Sequence, residues 1–282
     1  MANKDLIYVT WTAFGRNVFA SMKCGNRIAQ LEALRFCAIF VIMMSHMDFI
    51  EGYVGGEIWK RFFHNPTWGV DYFFIVSGFG IYLSHLKDKT DIISLESCIR
   101  FAVERIRRIY PLYLIMGISM VPCSIIKDAR ETILAKAIIK AILKSIGFTT
   151  LLQSALGIEC VSRTLNGVCW FLSSIFVCYM FIPYILKIVD SLSEKINDKI
   201  MLGIGGCITC VTFILVLSNV FILIENRTLF DDLFRDSPYI RIWYMILGVF
   251  IGIIYNELYK NFEYKKIQSS IVEIIFLLFW IT

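Results

Sequence analysis

The chain offers no disulfide framework, no metal-spaced cysteine set and no signal peptide. Its nine cysteines are scattered at 24, 37, 98, 123, 160, 169, 178, 207 and 210, and among them Cys207 and Cys210 are spaced C-x-x-C. That pair lies inside an apolar run, where small packed thiols explain it better than a metal site. Residues 1–30 lack the ordered charged, apolar and small-residue regions of a cleaved leader. No internal repeat, low-complexity tract or linker divides the rest of the chain. These absences exclude a small secreted scaffold, a zinc module and a repeat array.

What the chain has in quantity is apolar surface. The hydrophobic share is 57% and the mean hydropathy is +0.68, above the range of soluble domains. Repeated apolar runs of about 18–25 residues predict an all-α polytopic transmembrane bundle, with one integral-membrane domain over 31–282 after a cytoplasmic lead over 1–30. The net charge of +5 needs no nucleic-acid partner. Cytoplasmic loops of membrane proteins are enriched in Lys and Arg.

The spans are expected at about 31–50, 67–85, 109–126, 168–189, 200–224 and 238–258, with a seventh starting near 267. Lys87, Lys89, Arg100, Arg105, Arg107 and Arg108 place 87–108 in the cytoplasm, and Lys187, Lys195, Lys199, Lys260, Lys265 and Lys266 place two later loops there. The loop 51–66 then lies outside. Lys136, Lys140 and Lys144 recur every fourth residue. That basic stripe predicts an interfacial amphipathic helix over 133–155 rather than a span. The whole reads as a multi-pass protein of the cell membrane with a cytoplasmic N-terminus.

Chemistry concentrates between Leu34 and His85. Ionisable groups inside apolar spans are costly and mark functional sites by default. Arg35 and His46 are eleven residues apart, about three turns and roughly 16 Å of rise, so they share a helix face. His64 and His85 sit in or beside loops and read as ordinary.

Four ordered stretches resemble the acyltransferase-3 family of integral-membrane acyltransferases. They are Leu34-Arg35 with His46; Gly69-Val70-Asp71-Tyr72-Phe73-Phe74 followed by Ser77-Gly78-Phe79; Arg105 to Tyr113, which reads R-I-R-R-I-Y-P-L-Y; and Trp170-Phe171-Leu172 with Tyr179 and Pro183. Pro238, Arg241 and Leu247-Gly248 form a fainter fifth. The family also places Glu five residues after the Trp of the fourth stretch, a position held here by Ile175. Its core has ten spans, against about seven here, so the chain is expected to be C-terminally truncated.

The resemblance implies transfer of an acyl group, acetyl in the first instance, from acyl-CoA to a hydroxyl of a cell-envelope or exported polysaccharide. The donor is a substrate, and no bound cofactor or metal is expected. By the same resemblance His46 is the essential residue, as a general base or as a covalent acyl carrier. Arg35 is its partner, for CoA phosphate or for developing negative charge. Arg105 and Arg108, at i and i+3 on one face, suit the phosphates of acyl-CoA. Asp71 reads either as the carboxylate orienting His46 or the acceptor hydroxyl, or as a surface anion. Ser77, which has no G-x-S-x-G context, joins Gly78 and Phe79 as a structural or substrate-positioning group. Trp170 either faces a sugar ring or belongs to an interfacial belt. Two other readings stay open: a catalytically inactive truncated remnant, and a small-molecule transporter. Oligomeric state is not legible.

Overall fold

The computed structural model describes residues 29–47, 67–86, 94–130, 132–156, 165, 167, 169–223 and 237–261. Among these residues it is all-α. Eight α-helices occur in the order α1 Ala29–Ser45, α2 Thr67–His85, α3 Leu95–Ile106, α4 Tyr110–Ala129, α5 Leu134–Thr149, α6 Trp170–Lys195, α7 Lys199–Leu223 and α8 Pro238–Asn261, with a 3-10 turn at Gln153–Leu156. Within the described residues, Tyr110–Ala129, Trp170–Lys195, Lys199–Val220 and Pro238–Leu258 are each long and apolar enough to cross a membrane. The apolar part of α1, Arg35–Ser45, is shorter. The expected seventh span, the loop 51–66 and Lys87 and Lys89 lie outside the described residues.

The chain divides into two compact units, 1–72 with 263–282, and 73–262. In the first, α1 buries Ala38 and Val41 and exposes Phe36, Ile39, Phe40 and Met43, the lipid-facing pattern of an apolar helix. The start of α2 packs against it. A Cβ added at Gly69 would stand 3.1 Å from Ile42 Cγ1 and 3.3 Å from the Ala38 carbonyl, so glycine permits this close approach.

In the second unit α6 is the axis. Its 26 residues make roughly 39 Å of helix, longer than a hydrocarbon core of about 30 Å. The rest of α2 lies beside it and runs the same way: Phe74 meets Phe171 edge-on at 5.5 Å, Tyr179 bonds Ser77, and His85 Nε2 meets Asp190 Oδ2 at 2.8 Å. His85 is therefore not an ordinary loop residue. It ties the C-terminal ends of two parallel helices. α7 returns antiparallel to α8, with Phe250 and Ile254 seated over Gly206 and Gly203 and the Phe213 ring 4.0 Å from that of Trp243, tilted by 35°. The end of α6 and the start of α7, with Lys187, Lys195 and Lys199, thus share the His85 end, as the charge distribution predicts.

Two segments differ from expectation. α3 is amphipathic: Ser94 accepts the Ser97 N–H at 3.2 Å as N-cap, and Cys98, Phe101, Ala102 and Ile106 form a buried face. That face packs α3 back along α6, where the charge pattern marks 87–108 only as a cytoplasmic segment. The helix over 134–149 forms as expected but does not lie apart on a surface. It is the second arm of an antiparallel hairpin with α4, closed at one end by Lys144 Nζ–Asp128 Oδ2 at 2.7 Å and at the other by Tyr110 Oη–H donating to the Thr149 carbonyl at 2.7 Å. The reason is local. Lys144 leaves the basic stripe because a carboxylate and Ser124 Oγ wait on α4, while Lys136 and Lys140 stay exposed.

Candidate functional site

In the first unit the site is the end of α1. A helix leaves its last carbonyls without intrahelical partners. The Ile42 carbonyl is met by Ser45 Oγ–H at 2.8 Å and by His46 Nδ1 at 2.7 Å. Ser45 Oγ also lies 3.2 Å from that nitrogen. A carbonyl only accepts, so Nδ1 carries the hydrogen. In the neutral ring Nε2 is then the lone-pair nitrogen. His46 is exposed, one residue past the last helical position rather than deep within the span. Arg35 is half-buried, three turns back along the same helix. Asp71 is buried, and Nδ1 of His46 is met by the backbone rather than by a carboxylate.

In the second unit Ser77, Gly78 and Phe79 each touch a different group. Ser77 Oγ accepts from Tyr179 Oη–H at 3.3 Å, a Cβ at Gly78 would run into the Met245 carbonyl, and Phe79 meets Tyr255 edge-on at 5.3 Å. Gly78 therefore serves the close passage of α2 over α8. Arg105 is half-buried, with its guanidinium carbon 3.8 Å from the Phe101 ring centroid and 5.9 Å from that of Tyr179. Burial lowers its pKa from the ordinary arginine value, while Tyr179 and Glu104 pull the other way. α3 ends at Ile106, so Arg108 falls in the following turn, exposed like Arg107. The shared helix face expected for Arg105 and Arg108 is not realised. Tyr179 stands eleven residues before Asp190 on α6, about 16 Å along its axis. Arg105 is thus well up the bundle from the His85 end.

Trp170 is half-buried at the start of α6. The Arg241 guanidinium lies 5.7 Å from its ring and 5.8 Å from that of Tyr244. Arg241 is only 2% exposed. A buried guanidinium in an apolar span is the sign that marks function in membrane proteins. The sequence carries that sign at Arg241, although the motif pattern by itself assigns no role to Arg241 or Tyr179. Two serines clamp the preceding turn: Ser154 Oγ–H donates to the Trp170 carbonyl at 3.0 Å, Ser154 N–H donates to Ser173 Oγ at 2.9 Å, and Ser173 Oγ–H donates to the Leu151 carbonyl at 2.8 Å. They hold Leu151 at φ 57°, a left-handed conformation that costs a branched residue about 1–3 kcal/mol. Beside it the Gln153 carboxamide is buried next to the Tyr113 side chain, with no well-formed hydrogen bond to either of its atoms among the described residues. Nothing in the sequence pointed to Gln153.

A helical membrane bundle with a base-competent imidazole at a helix end and arginines held among aromatic rings has the parts of a membrane acyltransferase. The comparison with known families gives that class a definite place. A family model described as an acyltransferase domain, Acyl_transf_3, matches residues 28–282, and the chain belongs to this family. No curated protein and no solved structure matches it.

Proposed function

We propose that the protein transfers an acyl group, acetyl in the first instance, from acyl-CoA to a hydroxyl of a cell-envelope or exported polysaccharide. The observation that carries this reading is the fixed tautomer of His46. With Nδ1–H spent on the Ile42 carbonyl, Nε2 is the basic nitrogen and stands on an exposed residue. Nε2 takes the proton of the acceptor hydroxyl as its oxygen attacks the thioester carbonyl. The tetrahedral oxyanion then collapses, the C–S bond breaks, and the imidazolium returns its proton to the departing thiolate. A backbone carbonyl orients the ring as a carboxylate does in other sites, without adding a charge to the span.

Arg35 supplies positive charge about three turns away, too far for the oxyanion formed beside His46 but placed for a phosphate of the extended CoA. Arg105 and Arg108 bind the donor's phosphates, Arg105 from among aromatic rings and Arg108 from the exposed turn. Asp71, Ser77, Phe79 and Trp170 position the acceptor, with Gly78 setting the helix spacing that holds Ser77 and Phe79 in place. The test is His46→Gln in membranes supplied with labelled acetyl-CoA. Transfer of label into carbohydrate should fall by about 10²–10⁴-fold, with unchanged protein in the membrane fraction. Transfer at the wild-type rate by the inserted variant would remove His46 from the chemistry.

A further inference from the structure

We propose that the C-terminal half of α6 is a binding site for a single anionic phospholipid. An open groove of about 430 Å³ runs along it, lined by Tyr184, Lys187, Ile188, Ser191, Leu192 and Lys195. The lining is graded along the axis. Tyr184 and Ile188, both exposed, lie toward the helix middle, where acyl chains run. Ser191 and Lys195 lie toward its end, where headgroups sit. Lys187 and Lys195 are eight residues apart, about 12 Å, with Ser191 midway. A headgroup phosphate at Ser191 is within reach of both ammonium groups, because lysine stems extend along apolar surface while their heads seek polar partners.

Charge complementarity selects the occupant. Lys187 and Lys195 have no ion-pair partner among the described residues. No carboxylate lines the groove. Asp190 faces His85 on the neighbouring α2, Asp198 caps the Met201 N–H on α7 at 3.0 Å, and Glu194 falls roughly 90° around the helix from the groove's midline. Lys199, at the start of α7, adds positive charge at the same end. A net-negative headgroup gains from this field and a zwitterionic one does not. The site is independent of the acyl-transfer reading.

The experiment is native mass spectrometry of the full chain after incubation with equimolar phosphatidylglycerol and phosphatidylcholine. The wild type should retain phosphatidylglycerol preferentially. Each lysine lost should cut that preference about fivefold, so Lys187→Gln with Lys195→Gln should nearly abolish it. The pair Lys187→Arg and Lys195→Arg should keep it. Ser191→Phe, which fills the groove without changing charge, should lose it. Equal retention of the two lipids by the wild type overturns the proposal, as does undiminished preference in the Gln pair. A change of oligomeric mass in the Gln pair with lipid retention intact overturns it too, and assigns the groove to a second copy of the chain.

Discussion

Gly78 and Gly248 mark the place where α2 and α8 pass with backbone against backbone. A Cβ at Gly78 would run into the Met245 carbonyl, and one at Gly248 into the Ile75 carbonyl. Neither obstacle is the end of a flexible side chain, so the helices must separate to admit a methyl group. Overpacking of this kind costs about 1–3 kcal/mol. At roughly 2–4 °C per kcal/mol for a chain of this size, Gly78→Ala or Gly248→Ala should melt about 2–12 °C below wild type in detergent, followed by size-exclusion chromatography after heating. Gly80, two residues from Gly78, has nothing within 4 Å of its added Cβ. There the same substitution should be neutral, or stabilising by up to about 1 kcal/mol through helix propensity. The two harmful changes should be less than additive, because one separation admits both methyl groups. Equal melting of the Gly78→Ala and Gly80→Ala proteins would refute the close passage of α2 over α8.

Other expectations rest on single contacts. Lys144→Met should lower stability by about 1–3 kcal/mol, because it leaves the mostly buried Asp128 carboxylate without the ammonium 2.7 Å away. Adding Asp128→Asn should recover part of that loss, read in the same melting assay. Tyr179→Ala removes the ring 5.9 Å from the Arg105 guanidinium, and under the donor-binding role it should raise KM for acyl-CoA as Arg105→Ala does. Arg107→Ala should leave KM near wild type; a larger effect there than at Arg105 would reassign the donor site. The His85–Asp190 contact puts the ends of α2 and α6 together, so cysteines at Leu86 and Lys195 should react with a membrane-impermeant thiol reagent from the same side. Labelling from opposite sides would break the parallel arrangement of α2 and α6.

The sequence by itself determined the class of fold and the order of its helices. Apolar runs long enough for a bilayer leave few alternatives, since backbone groups without water must bond within a helix. Arg35 and His46 were legible as a pair because eleven residues bring a helix back to the same face, and the motif order was enough to indicate the family. The tertiary structure decided which groups meet. His46 takes a backbone carbonyl rather than a carboxylate, because its position one residue past the helix leaves the Ile42 carbonyl within reach. Arg105 parts from Arg108 because α3 ends between them and buries one face on α6. Lys144 leaves its stripe because Asp128, sixteen residues earlier, faces it across a hairpin. Tyr179, Arg241 and Gln153 acquire their surroundings from helices distant in the chain. Helical periodicity fixes the face on which a residue lies, whereas its partner depends on how separate helices pack, and that information is spread over contacts no local pattern records.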